Sequence, residues 1–319
     1  MLLRGLRWGL AGALVAWTVI RLLGLERGWP LVPLMAFTPW VAALALVGAT
    51  VAAVLGSRLV ALVAAVCAVV LAVAIAPRVV PNRAPADAPG VRLRVLAANV
   101  AGNPEAAGGF VALLRRLRPD VVSVVELPPE LVRAYDAAGI QSVMPQRVLR
   151  PLPGFSGTGL YARIPLRTAP GPEGTTFAIT AAAASPRGAA PLELFAVHVR
   201  APTSPGEAGD WKRDLRALPP TGDGGLRVLA GDFNATLDHA ELRRLLARGY
   251  HDAAEQAGSG LRTTWSTDAS PLPPTVAIDH VLADRRVRVA SARVVTIPGT
   301  DHHGVLAELV LPDADRGGG

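Results

Sequence analysis

Asp232 and Asn234 stand two residues apart at the end of Val228-Leu229-Ala230-Gly231, an apolar run closed by a glycine. Alternate residues of an extended segment point to the same side, so this carboxylate and this amide converge on one spot. A turn leading into a helix is the plain alternative. A helix start is nevertheless supplied just downstream, where Asp238 and Glu241 have capping-box spacing ahead of a helix expected over 241–247, with Gly249 as its stop. The pattern of a polar strand end recurs along the chain. Asn99, Glu126, His198 and the pair Asp279-His280 each sit on an apolar, strand-like run. A buried strand has no need of such residues, and the carboxyl ends of strands are where α/β folds assemble their sites. Carboxylates, amides and imidazoles gathered in one place can hold a hard cation, bind an anion and move protons.

Strands alternating with helices have to position these residues. Residues 91–99 alternate apolar and polar at their start, as a half-buried strand does. Asn103-Pro104-Glu105 has the form of N-cap, N1 and N2 of a helix running to about Arg118. "PDVVSVVEL" is a short buried strand ending at Glu126. Further strands are expected over 158–162, 175–183, 192–199, 226–230, 276–282, 287–296 and 305–311, with a helix over 206–218. Segments rich in Pro and Gly at 151–157, 170–174, 201–206 and 270–274 are expected as surface loops. The sequence has no internal repeat.

Ahead of this domain lie three apolar stretches, 8–25 (interrupted by Arg21), 31–55 and 59–76. A helix crosses a bilayer with about 17–25 apolar residues, so three membrane spans are expected, with Arg21 reaching towards a headgroup region. The first stretch lacks the small-x-small cleavage site of a signal peptide. The segment 77–90, "PRVVPNRAPADAPG", is expected as an extended linker. Its length allows a reach of at most roughly 50 Å. The chain thus divides into a membrane segment (1–76), a linker (77–90), an α/β domain (91–312) and a tail (313–319). The formal charge of +7 is split. Five arginines oppose the single acid Glu26 before residue 77, and the rest of the chain holds 27 basic against 24 acidic residues. No dense basic run marks a nucleic-acid surface. The single cysteine, Cys67, lies in the third span, so the domain has neither a disulfide nor a thiol ligand or nucleophile. Three spans put the two ends on opposite faces. Arg4 and Arg7 favour a cytoplasmic start and an extracytoplasmic domain, against the vote of Arg21, Arg27, Arg78 and Arg83.

Taken in order, the motifs of 91–311 resemble those of the metal-dependent endonuclease/exonuclease/phosphatase superfamily of DNase I-like enzymes. "VLAANV" is similar to its first motif and carries Asn99; "RPDVVSVVEL" is similar to its PD…E motif and carries Glu126. "GTGLYARIPL" resembles its core strand and "LFAVHV" the strand bearing a histidine, here His198. "LAGDFNAT", "TVAIDHV" and "GTDHHGV" resemble its GDFN, IDH and SDH motifs. In the last of these a threonine replaces serine and two histidines follow Asp301, of which His302 takes the motif position. The segment "TTW" at 263–265 also resembles a family segment, with Trp265 expected as a packing residue.

The resemblance implies an α/β sandwich of two packed sheets with helices outside, preceded here by the membrane helices, and a phosphoesterase using Mg²⁺ or Mn²⁺. Hydrolysing a phosphate ester requires neutralised phosphoryl oxygens, an activated water and help for the leaving oxygen. By the resemblance, Glu126, Asp301 and Asn99 serve the metal, and Asn99, Asn234 and His198 contact the substrate phosphate. Asp232 orients or deprotonates the attacking water, and His302 is general base or phosphate contact, oriented by Asp279. Asn234 and His198 also belong to the catalytic set. His239 and His251 are expected at the surface, His280 as structural, and His303 is left open. The connections between Glu126 and Gly157 read as short, implying an open site. The expected substrate is a lipid-linked phosphate or phospholipid at the membrane, with nucleic acid as the alternative and a catalytically dead membrane scaffold as the rival from another class.

Overall fold

The computed structural model describes residues 2–222, 224–265 and 275–314. The loop expected over 270–274 and most of the tail lie outside the described residues. Four helices open the chain: α1 (Leu2–Leu23), α2 (Leu31–Leu34), α3 (Thr38–Val54) and α4 (Arg58–Ile75). Three stretches, Arg4–Leu23, Leu31–Val54 and Arg58–Arg78, are long and apolar enough to cross a membrane. Leu10, Leu44, Leu62 and Val73 stand on their outer surfaces, an arrangement that suits lipid better than water.

The domain that follows runs β1 (Val91–Asn99), α5 (Ala107–Leu117), β2 (Val121–Val125), α6 (Pro129–Ala137), β3 (Gln146–Arg150), β4 (Thr158–Ala162) and β5 (Leu166–Ala169). It continues with β6 (Thr180–Ala184), β7 (Leu192–His198), α7 (Pro205–Ala217), β8 (Leu226–Asp232), α8 (Ala240–Ala247), β9 (Tyr250–Asp252) and α9 (Ala253–Gln256). The last strands are β10 (Asp279–Asp284), β11 (Arg288–Thr296) and β12 (His303–Leu311). They form two six-stranded sheets, ordered β11-β12-β1-β2-β4-β3 and β5-β6-β7-β8-β10-β9.

Between the sheets lies a core of small and branched side chains, among them Val95, Ala97, Leu194, Ala196, Val228 and Val281. Helices α5 and α6 cover the outer face of the first sheet with Phe110, Leu114 and Tyr135. Helices α7 and α8 cover that of the second with Trp211, Leu215 and Leu242, where Val32 of α2 joins them. This is the two-sheet α/β sandwich expected, preceded by apolar helices. One glycine is obligatory for the site. Gly231 has φ 142°, and a Cβ there would stand 2.1 Å from the Val197 carbonyl oxygen of the neighbouring strand. No other residue lets β7 and β8 run together up to His198 and Asp232.

Several expectations are corrected. The strand expected from 175 begins at Thr180, and the one expected from 276 begins at Asp279 because Val276 pairs instead with Trp265. Elements α6 and β3, not read from the sequence, occupy much of the stretch from Glu126 to Gly157, and the loops between them are short. The segment expected as an extended linker is packed from Arg78 to Ala84: Asn82 N–H donates to Gln256 O at 2.8 Å and Ala84 N–H to Val289 O at 2.7 Å. The capping box at Asp238 does not form, because its carboxylate is bound by Arg21 and Arg78 and α8 begins after His239. Arg21 is accordingly buried against the domain rather than reaching for headgroups.

Candidate active site

Strand register gathers the polar ends. Parallel pairing sets His198 of β7 opposite Asp232 of β8, and antiparallel pairing sets Asp279 of β10 opposite the same Asp232. Residues directly opposed across a sheet share a face, so three side chains meet at the edge of one sheet. From the other sheet, β1 ends at Asn99 in register with Val125, one residue before Glu126. Glu126 and Asn234 both take left-handed backbone, at φ 58° and 45°. Such conformations are sparsely populated for non-glycine residues, and they turn the chain sharply away just after each strand.

The contacts interlock. Asn99 Nδ2 donates to Glu126 Oε1 at 2.9 Å and to Asp232 Oδ2 at 3.1 Å, while its Oδ1 accepts from Ala101 N–H at 3.0 Å. Its amide thus holds two carboxylates from different sheets. Asp232 Oδ1 accepts from Asn234 N–H at 2.8 Å, and Asn234 Nδ2 donates to Val199 O at 2.9 Å. His302 Nδ1 is 2.9 Å from Asp279 Oδ2, and its Nε2 is 3.8 Å from Asp232 Oδ2. His198 Nδ1 donates to the Phe155 carbonyl at 2.8 Å, which leaves Nε2 3.9 Å from Glu126 Oε1 and 4.0 Å from Asp232 Oδ2. Glu126, His198, Asp232, Asn234 and His302 line a cavity of about 370 Å³ together with Phe177, Arg200, Trp265 and Asp301, with Asn99 and Asp279 behind them.

Electrostatics follow from burial. Glu126 is pushed up to about 7, chiefly by burial and further by Asp232, against the Asn99 hydrogen bond. Asp232 is raised by burial and then by Asp279 beside it. Burial lowers His198. For His302 burial also acts downward, but Asp279 and then Asp232 outweigh it and carry the imidazolium up to about 10. Among the described residues no Lys or Arg forms an ion pair with Glu126, Asp232 or Asp279; their only charged partners are histidines. Asp279 Oδ1 is buried without a hydrogen-bond partner. Arg200 lines the same cavity but is paired with Glu207, and carboxylates left without a Lys or Arg partner fit a hard divalent cation with oxygen ligands. Asp232, Asp279 and His302 lie close enough together to hold one, yet His302 Nδ1 is already committed to Asp279, so this trio is a hydrogen-bonded set. Glu126 is the freer ligand.

The structure therefore brings Asn99, Glu126, His198, Asp232, Asn234, Asp279 and His302 together. Asp301 borders the same cavity but is exposed, and its Oδ2 accepts from Trp265 Nε1 at 3.0 Å. His303 is not on this cavity; it borders a separate basin with Arg262 and Arg293. His280 is buried between Asp252 and the Ala235 carbonyl, a structural place. His239, expected at the surface, is 2% exposed, with Nε2 2.9 Å from the Val32 carbonyl oxygen. Trp265, expected as packing, borders the cavity instead. Sequence reasoning missed Phe155, whose carbonyl fixes the His198 tautomer, because a backbone contact leaves no mark on residue type. It missed Thr264 too, whose Oγ1 accepts from the N–H groups of Ile278 and Asp279, both at 3.0 Å. The repeated Thr263-Thr264 before Trp265 was the one available signal.

Solved structures share this architecture. An endonuclease/exonuclease/phosphatase from Beutenbergia cavernae DSM 12333 aligns with a TM-score of 0.56 at 21% identity, over 70% of this chain and 72% of that one. D. rerio TDP2 complexed with a single strand DNA product aligns with a TM-score of 0.55 at 19% identity, over 68% of this chain and 98% of that one. The endonuclease/exonuclease/phosphatase from Bacteroides vulgatus gives 0.54 at 16% identity, over 70% and 100% of the two chains. A comparison with curated proteins finds no match. Residues 96–302, which run from the strand of Asn99 to His302, match the model of the Endonuclease/Exonuclease/phosphatase family, and the chain belongs to that family.

Proposed function

We propose that this chain is a membrane-anchored, divalent-cation-dependent phosphoesterase acting on a phosphate ester at the membrane surface, either a lipid-linked phosphate or a phospholipid headgroup. One observation carries the membrane side of this reading. The chain that leaves the site after Asp232 and Asn234 packs within a few residues onto the ends of the apolar helices: Asp238 binds Arg21 and Arg78, and His239 binds the Val32 carbonyl. The turn that leaves the site is thereby fastened to the apolar helices rather than hung on a free tether, which supports a site beside the bilayer. In this reading the domain lies outside the cytoplasm.

Glu126 would hold Mg²⁺ or Mn²⁺, with Asn99 steering its carboxylate and Asp301 supplying a further oxygen directly or through water. The cation supplies charge neutralisation for the phosphoryl oxygens. Asp232, already hydrogen-bonded to Asn99 and to the Asn234 amide, orients and deprotonates the attacking water. Its raised proton affinity suits a base. His302 keeps its Nδ1 proton on Asp279 and presents Nε2–H to a phosphoryl oxygen as a phosphate contact. His198, fixed through Phe155, holds Nε2 4.0 Å from Asp232 Oδ2, so that the proton Asp232 takes from the water can pass to this nitrogen and on to the leaving oxygen. Asn234 and Asn99 add amide donors that bring no negative charge.

The comparison to run is full-length protein in liposomes with Mg²⁺, assayed side by side on a panel of lipid phosphates and on plasmid DNA. Lipid turnover exceeding DNA cleavage is the expected result. Efficient DNA cleavage without lipid turnover would replace this reading with a membrane-tethered nuclease.

A further inference from the structure

The loop that leaves the site, 235–239, and the start of α8 take much of their support from the membrane segment. Arg78 Nη1 and Nη2 bind the two oxygens of Asp238 at 2.7 and 2.6 Å, and Arg21 Nε binds Oδ1 at 2.6 Å. The Asp238 side chain is 0% exposed and those of Arg21 and Arg78 are 6% and 4%. Arg21 lies near the end of the first apolar stretch and Arg78 is the last residue of the third, so one carboxylate ties together two helices distant in sequence. Around this centre the Glu26 carboxylate accepts from Ala240 N–H, and Arg243 Nη2 donates to the Arg21 carbonyl at 2.6 Å. His239 donates from Nε2 to Val32 O and accepts at Nδ1 from Thr236 N–H at 2.8 Å. On the catalytic side, Asn234 O accepts from Trp211 Nε1 at 2.9 Å, and Asn234 N–H closes on Asp232. The two groups of hydrogen bonds meet through one stretch of backbone, Asn234–Ala235–Thr236, where the Ala235 carbonyl is 2.8 Å from His280 Nε2, so the fastened loop lies two residues along the chain from the turn that carries the catalytic carboxylate.

An arrangement of this kind is poor evidence for stability alone, since burying ions costs desolvation that apolar residues of similar volume would avoid. It is a good device for geometry: a bidentate guanidinium fork and a second guanidinium fix a carboxylate in orientation as well as position. We infer that Asp238, held by Arg21 and Arg78, is a positioning unit that sets the Asp232–Asn234 turn from the membrane segment, so that the spanning helices are part of the catalytic scaffold and not merely an anchor. The inference concerns phosphoester hydrolysis at this site and does not depend on which substrate is natural. A fragment beginning at residue 84 lacks Arg21, Glu26, the Val32 carbonyl and Arg78, and would leave this turn without its fastening.

The test uses full-length protein in nanodiscs with Mn²⁺, comparing wild type with Arg21→Gln, Arg78→Gln and Asp238→Asn. Arg92→Gln, in the remote Arg92–Glu308 pair, serves as the control. Two quantities are read: kcat and KM for bis(p-nitrophenyl) phosphate, and hydrogen exchange at the amides of 234–240 against those of 226–230 in β8. Asp238→Asn and Arg78→Gln are expected to lower kcat at least tenfold with KM within twofold, and to speed exchange at 234–240 at least tenfold while β8 is unchanged. Arg21→Gln, which leaves the fork of Arg78 in place, is expected to show the same pattern more weakly. Unchanged exchange at 234–240 would overturn the inference. So would exchange rising equally in β8, which means a general prop of the fold, and so would wild-type kcat despite a loosened loop.

Discussion

Acidification should loosen the domain at His239, and the size of the effect can be worked out. This imidazole is buried, and burial, with Arg21 adding to it, brings it down to about 4 despite Asp238 and its hydrogen bonds. Its two nitrogens are in use, one accepting from Thr236 N–H and the other donating to the Val32 carbonyl. Protonation removes the acceptor and places a cation near the Arg21 guanidinium. The unfolded chain has a histidine pKa of about 6.5, so between about 6.5 and 4 the unfolded state binds the extra proton. Stability from this group is then complete above about pH 6.5 and is lost as pH falls towards 4. Lowering the pH from 7.5 to 5 should therefore remove about 2 kcal/mol through His239, within a ceiling of about 3 kcal/mol at still lower pH. Trp211, whose ring centroid lies 5.3 Å from that of His239, is a local reporter. Urea unfolding followed by tryptophan fluorescence, at both pH values, for wild type and His239→Asn, isolates the group. The variant should be less stable at pH 7.5 but lose about 2 kcal/mol less than wild type on acidification. Equal losses in the two proteins would refute the reasoning.

Other outcomes follow from the same contacts. Asp232→Ala, Glu126→Ala and His302→Ala should each cut turnover by at least about a hundredfold, the scale of losing an acid–base group, while His303→Ala does much less; steady-state kinetics showing the reverse order for the two histidines would move the motif assignment by one residue. With the start of the chain in the cytoplasm, a C-terminal alkaline phosphatase fusion should be active and a C-terminal fluorescent reporter dark. An inactive phosphatase beside a bright reporter would place the domain inside.

The sandwich and the cluster were legible because they rest on local signals. A run such as Val121–Val125 is apolar at every position but Ser123, so the acidic residue that follows it stands out; Asn99, His198 and Asp232 likewise end apolar runs. The docking of the domain onto the helices left no such signal. Asp238 sits at capping-box spacing and reads as a cap, since the local sequence does not reveal that two arginines far away in the chain claim its carboxylate. The same blindness put His239 at the surface: an isolated histidine outside any motif looks solvated until its carbonyl partner, Val32, is found 207 residues away. Strands β3 and β5 were missed because they lie at or near sheet edges, with Gln146, Arg147 and Arg150 or Arg167 and Thr168 turned to solvent, which hides their alternation. Trp265 reads as a packing residue because nothing near it in sequence indicates that its indole N–H faces Asp301.

Cation binding at Glu126 tests the central claim most directly. Full-length protein in nanodiscs, stripped with EDTA and titrated with Mn²⁺, can be followed by calorimetry alongside its phosphoester turnover. The account expects no turnover in the stripped protein, recovery in step with one bound ion, and for Glu126→Gln at least about a tenfold weaker binding with turnover lost, the scale of disturbing a metal's ligand environment. Full turnover after exhaustive stripping, or unaltered Mn²⁺ binding in Glu126→Gln, would contradict it.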